Sequence, residues 1–318
     1  MPIDYAAFRY EAVFDFIELD IQLHRASNHQ TVSKALGASY VIPLDPHSGG
    51  PLIKNEAGHY PNGGSTNRFG VRIQDPASQR DVQARLRPLE ESHGIAHPVG
   101  IRVLEVAFDA YAPPDAQHSL VDMAFHFNRG LAPRVSNDLE FNFFTAIRKK
   151  VGNDGVADLR FPMERFETER QVKQLLQQGR TIKIGENGSG HTQRIYVKTS
   201  DTAPDLSDGR VPLPASQHRA RFENTFSGSK LPFTLLDDMV SDSFVEKLSP
   251  FFAWRLVPQE SPLTLRQLTI GARELRPRIS NGRVKGTREF SRNTRADDAL
   301  NRRAYDALRA LSKRWRLG

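Results

Sequence analysis

Polar and apolar positions alternate with a period of two in several stretches of the chain, as in half-buried strands. In 13–24, Ile17, Leu19, Ile21 and Leu23 fall on one side, and Glu18, Asp20, Gln22 and His24 on the other. The segment 68–74 reads as another strand. In 101–111, Leu104, Val106 and Phe108 oppose Val103, Glu105, Ala107, Asp109 and Tyr111. Strands are also expected at 180–185, 193–199 and 219–226.

Within the first 257 residues helical spacing appears in four places. One helix opens after Asp75-Pro76, carries Val82, Leu86 and Leu89, and is stopped or kinked at Pro88. A second covers about 119–128. A third covers 165–178 and ends at Gly179. The fourth is 232–253, with Leu235, Leu236, Met239, Val240, Phe244, Val245 and Leu248. Residues 43–66, rich in Pro and Gly, read as an excursion with a turn at Asn62-Gly63, whereas 129–160 have no clear period.

Strand, strand, connection and helix therefore occur twice. An α+β fold follows, with antiparallel sheets covered by helices and a candidate duplication over about 1–128 and 160–257. Beyond that 1–257 body, residues 258–318 form a segment of different composition. Its last helix, 297–316, sets Leu300, Ala304, Leu308, Leu311 and Trp315 on one stripe.

Charge sharpens this division. The 318-residue chain has a net charge of +7. Residues 271–318 hold fourteen Lys/Arg against five Asp/Glu, so the body is close to neutral. Twelve of the fourteen are arginine, the side chain suited to bidentate contacts with phosphate or guanine. Arg276, Arg278, Arg283, Lys285, Arg288, Arg292, Arg302, Arg303, Arg314 and Arg316 are the candidate DNA contacts. A solvated basic tail, or one that binds RNA, would look the same.

Absences narrow the chemistry. With no cysteine there is no disulfide, zinc thiolate or thiol nucleophile. No apolar run reaches the ~20 residues of a membrane span, and the N-terminus lacks the pattern of a secretory signal. A cytoplasmic protein with no membrane partner is expected. The Gly-rich run 185–190 lacks the Lys-Ser/Thr of a phosphate loop. There is no Gly-x-Ser-x-Gly elbow and no His-x-His pair, and Gly94 and Pro98 separate His93 and His97 from any shared helix.

What remains is three polar strand faces: Glu105 with Asp109; Arg194, Tyr196 and Lys198; and Arg219, Arg221, Glu223 and Thr225. If these strands are neighbours, carboxylates, cations and one phenol converge. A solvent-facing sheet with cross-strand ion pairs would give the same pattern.

The run TIKIGENGSGHTQRIYVKT (181–199) resembles the tyrosine-dependent rolling-circle replication initiators of plasmids and filamentous phages. They share a T-x-Y-x-G-S pattern followed by R-x-Y-x-K. RVLEVAFDAY (102–111) is similar to that family's preceding acidic strand, and RARFENTFSG (219–228) to its following R-x-E strand. Two departures stand out: Lys183 takes the place of a frequent tyrosine, and Val197 that of a frequent Asp.

The resemblance implies a nickase without His-x-His, in which Tyr196 attacks a DNA phosphodiester and leaves a 3′-hydroxyl and a 5′-phosphotyrosine. In that reading Arg194, Lys198 and Arg221 lower the phenol's pKa and stabilise charge on phosphorus, while Glu105, Asp109 and Glu223 hold Mg²⁺ or Mn²⁺. Glu18 and Asp20 are lesser candidates. The implied partners are origin DNA, as a hairpin or single strand, a host helicase and a second copy of the chain. With Lys183 where the family's tyrosine often stands, a DNA-binding protein of this fold without catalysis is the alternative, beside an RNA-binding or structural one.

Overall fold

The computed structural model describes residues 3–37, 40–131, 143–151, 155–162, 169–185, 190–202, 210–256 and 295–318, with the strands at 143–151 and 155–162 described by their backbone. Residues 186–189 of the Gly-rich run, the first residues of the helix expected from 165, and the bases Arg276, Arg278, Arg283, Lys285, Arg288 and Arg292 lie outside the described residues. The fold is α+β, and its chain divides into two compact units. One comprises Met1–Ala12, Ala107–Asn224 and Leu248–Leu308; the other comprises Val13–Val106, Thr225–Lys247 and Arg309–Gly318.

Strands β1 (Arg9–Asn28), β4 (Ile95–Tyr111) and β11 (Arg219–Ser227) are neighbours in the order β1-β4-β11.

The second unit holds the strand order β2-β3-β1, with β2 (Val41–Pro43) and β3 (Ser65–Gln74). β1 and β3 are antiparallel, with Ile17 opposite Ile73, Leu19 opposite Val71 and Ile21 opposite Phe69. These apolar pairs are buried. β1 runs longer than its alternation predicts and changes its buried side. Phe14 and Phe16 are buried on the even positions, then Ile17, Leu19, Ile21 and Leu23 on the odd ones.

Helix α1 (His29–Leu36) is capped by Asn28, whose side chain accepts from Thr31 N at 2.9 Å. Helix α2 (Gln79–His93) starts at Ser78, which accepts from Asp81 N at 3.1 Å. Pro88 sits inside α2 without ending it. Leu89, one residue further on, is fully buried together with Val82, and that anchoring offsets the hydrogen bond the proline cannot make.

The helix expected over 232–253 is instead a series of single turns. A 3₁₀ turn at Leu236–Val240, a short helix α5 (Phe244–Leu248) and a 3₁₀ turn at Ser249–Phe251 follow one another. Asp238 accepts from Leu235 N at 3.2 Å, Ser241 is extended, and Pro250 restarts the chain. The predicted apolar positions Leu236, Met239, Phe244, Val245 and Leu248 are nevertheless buried. Phe244 meets Phe14 and Phe233, and Phe14 meets Trp315 edge-on at 4.8 Å.

The first unit holds the strand order β11-β8-β7-β5-β6, with β5 (Phe143–Val151), β6 (Gly155–Pro162), β7 (Thr181–Ile184) and β8 (His191–Lys198). Strands β5 and β6 occupy the stretch whose sequence shows no clear period. The β7–β8 pair is antiparallel, with Ile182 opposite Ile195 and Lys183 opposite Arg194. Helices α3 (Ser119–Gly130) and α4 (Glu169–Gln177) pack on each other, and α3 packs on β8. Phe108, Phe127, Phe222, Phe252 and Trp254 form the aromatic core of this unit. Two further antiparallel pairs are small: β9 (Ser200–Thr202) with β10 (Arg210–Pro212), and β12 (Arg255–Leu256) with β13 (Arg295–Ala296).

The last helix, α6, spans Asp298–Leu317. Its expected stripe is buried: Leu300, Ala304, Leu308, Leu311 and Trp315. Asp297 precedes it and accepts from Leu300 N at 3.2 Å, Tyr5 Oη at 2.5 Å and His126 Nε2 at 2.9 Å. Burial alone would raise the Asp297 carboxyl; the hydrogen bonds from His126, Tyr5 and Leu300 outweigh it and hold the group below the ordinary range. Among the described residues no helix is long and apolar enough to cross a membrane.

Candidate active site

In the first unit, the polar faces of β4, β11 and β8 meet because these strands are neighbours in that order. Asp109 of β4 is fully buried. Arg221 of β11 donates to it twice, Nε to Oδ1 and Nη2 to Oδ2, each at 2.7 Å. Arg219 adds a third contact, with Nε 3.2 Å from Oδ2. Two residues along β11, Glu223 is 1% exposed. Its Oε1 accepts from Tyr196 Oη of β8 at 2.6 Å and lies 3.5 Å from Arg221 Nη1. Arg194 Nε stands 2.8 Å from Glu223 Oε2 but is not aligned to donate to it, so this contact is one of charge. Arg221 is thus shared between two carboxylates, and Glu223 between a phenol and two guanidinium groups.

Cations were expected to lower the Tyr196 pKa. The structure reverses that sign. Burial raises it first, the charge of Glu223 raises it further, and the lowering effects of Arg221 and Arg194 do not compensate. Tyr196 therefore rests as a neutral phenol whose proton points at a carboxylate. Lys198 has a different partner, Asp201, at 3.1 Å. Tyr111, at the end of β4, lies beneath the Arg9 guanidinium, 3.9 Å from the ring centre, and burial raises its pKa as well.

The carboxylates expected to hold a metal are arranged differently from the sequence pattern. Both oxygens of Asp109 are occupied by Arg221. In the second unit, Asp15 of β1 and Glu105 of β4 offer carboxylate oxygens within 4.8 Å of each other. Glu105 is buried and Asp15 is half-buried. Glu105 also accepts from Thr225 Oγ1. Buried carboxylates so close together need a cation or a shared proton, and oxygen donors of this kind could hold a metal ion.

Glu18 and Asp20 are taken up by arginines of the second unit. Arg72 and Arg102 reach Glu18 at 3.1 and 3.2 Å, and Arg68 reaches Asp20 at 2.7 Å. Sequence reasoning missed Asp15 because Glu18 and Asp20 belong to the regular alternation of β1 and drew the eye. The available signal was an acid at an odd position, in register with the apolar run Ile17, Leu19 and Ile21. Arg302, Arg303, Arg314 and Arg316 all lie exposed on α6.

No protein-family model matches the chain, and no curated protein matches it. Among solved structures it is similar to a rolling circle replication initiator protein from Geobacillus stearothermophilus. The two are 12% identical over 88% of this chain and 91% of that chain, with a TM-score of 0.30.

Proposed function

We propose that this protein nicks and rejoins a DNA strand, as a replication initiator does, with Tyr196 as the nucleophile. The observation that carries the reading is the 2.6 Å hydrogen bond from Tyr196 to the buried carboxylate of Glu223. A phenol of ordinary pKa, about 10, is a weak nucleophile near neutrality. It becomes effective when a positioned base removes its proton during attack, and a carboxylate at hydrogen-bond distance is such a base.

In the step proposed, Tyr196 Oη attacks phosphorus while its proton passes to Glu223. The bond to the 3′ oxygen breaks, and that oxygen leaves as a hydroxyl after taking up a proton. The product is a 5′-phosphotyrosine. Because one phosphodiester replaces another, the 3′-hydroxyl can reverse the step and reseal the strand.

Arg194, whose side chain is 38% exposed, is placed to meet the charge that builds on the phosphoryl oxygens. Arg221 positions Glu223 and Asp109 rather than substrate, since its side chain is only 3% exposed. Asp15 and Glu105 are the residues that would hold Mg²⁺ or Mn²⁺, which would supply charge neutralisation at the scissile phosphate when bound.

A second reading has its own support: Asp109, Arg219, Arg221 and Glu223 form a buried network of ion pairs, as in a purely structural site, and Lys183 stands where the resembled family often has tyrosine. In that case the fold binds DNA without cutting it. A supercoiled plasmid carrying the chain's own coding region and flanks, incubated with Mg²⁺, separates the two. Nicked circles with protein attached through a denaturing gel, lost in Tyr196→Phe, support the first reading. Intact plasmid, or nicking that survives Tyr196→Phe, sinks the assignment of Tyr196.

A further inference from the structure

The outer side of α6 is a linear array of cations that the chemistry at Tyr196 does not use. Opposite the buried stripe, Arg302, Arg309, Lys313 and Arg316 recur at spacings of seven, four and three residues and are all exposed. That spacing keeps them near one line of a helix. Fourteen residues at ~1.5 Å each carry the line over about 21 Å. Arg303 and Arg314 flank it, and Asp298 and Asp306 are the acids on the exposed side. Arg316 donates to Asp242 at 2.8 Å and to the Ser241 carbonyl at 3.0 Å. Among the described residues Arg302, Arg309 and Lys313 form no ion pair.

We infer that this face of α6 contacts the phosphate backbone of duplex DNA, by a line of charge independent of the reaction at Tyr196. Three properties select that partner. The helix is already formed and anchored, with Leu300, Leu308 and Trp315 at most 1% exposed, so its cations are presented at fixed spacing without a folding cost on binding. Tyr305 is the one aromatic side chain on the exposed face, at 47% exposure. Single-stranded nucleic acid is held by several stacked aromatics, whereas duplex is held through its phosphates. A basic amphipathic helix can also lie on an anionic membrane, but only by inserting its apolar side. Here that side is spent in the protein core.

The test uses the full chain and a labelled duplex of about 20 base pairs of arbitrary sequence, with binding followed by fluorescence anisotropy across a salt series. Each phosphate contact contributes about 0.9 to the slope of log affinity against log salt. The Arg309→Ala, Lys313→Ala double variant should flatten that slope by about 1.8 and weaken binding at least tenfold at ~0.1 M salt. Arg309→Lys should change neither by much, and thermal unfolding of the double variant should match the parent. Tyr196→Phe should bind the duplex as the parent does, which separates failure at this surface from failure of the nicking reading. An unchanged slope and affinity in the double variant overturns the inference. So does a stronger effect of the double variant on single strands, on RNA or on an acidic polypeptide than on the duplex.

Discussion

Arg221 grips Asp109 through two parallel hydrogen bonds of 2.7 Å, and the Asp109 carboxylate has no exposure to solvent at all. Removing one partner of such a pair strands a charge in the protein interior, at a cost of about 3–5 kcal/mol. Arg221→Met should lower the unfolding free energy by that amount in urea titration. Adding Asp109→Leu in the same chain should recover much of it, because the stranded carboxylate is gone. A double variant no more stable than Arg221→Met would mean that other contacts set the cost.

Glu223 should govern how activity depends on pH. With Glu223 as base in the proposed step, covalent adduct formation should already proceed near neutrality. Glu223→Gln keeps an acceptor for the phenol but cannot take its proton. The remaining adduct formation should fall by about 10²–10⁴-fold at neutral pH, the usual worth of a general base. It should then climb with pH toward the alkaline range where tyrosine ionises. A variant whose pH dependence matches the parent's would place the base elsewhere.

Alkali should unfold this protein through its tyrosines. Tyr5, Tyr10, Tyr111 and Tyr196 all have pKa values above the ordinary value, each chiefly through burial. The unfolded chain loses these protons from about pH 10 while the folded one keeps them, so stability is intact below that pH and declines as pH rises past it. Phenolate absorbance and the loss of near-ultraviolet circular dichroism should appear together. Smooth ionisation of all seven tyrosines in a still-folded protein would contradict this.

At the acid end, Asp297 carries the opposite sign. Its carboxyl is held below the ordinary value, so its contribution is present above pH ~4 and is lost as pH falls through the depressed pKa. Asp297→Ala also removes the acceptor at the start of α6, where a lost cap costs about 1–2 kcal/mol. The variant should be destabilised by at least that much at pH 7 and lose less stability than the parent on acidification, as read by thermal melts at both pH values.

Much of the candidate site was legible because strands advertise their two faces. Glu105 with Asp109, Arg194 with Tyr196, and Arg221 with Glu223 could each be grouped from alternation, and neighbouring strands then bring the latter two pairs and Asp109 together. Partner choice was not legible. Nothing local distinguishes Lys198, which turns to Asp201, from Arg194, which turns to Glu223. The sign of the Tyr196 shift depends on burial, which a list of nearby cations does not report. In 232–253 the apolar spacing predicted five of the buried residues but not the helix; consecutive turns broken by Ser241 and Pro250 bury Leu236, Met239, Phe244, Val245 and Leu248 and leave Leu235 and Val240 half-buried.

The change of buried side within β1 makes this strand self-indexing. A strand with one greasy edge can slide by two residues and still present grease to the core. In β1, a slide of two toward the C-terminus would set Asp15 where Ile17 belongs, and a slide of two the other way would set Glu18 where Phe16 belongs. Like a key cut on both edges, the segment enters its lock at one depth, and that depth places Asp15.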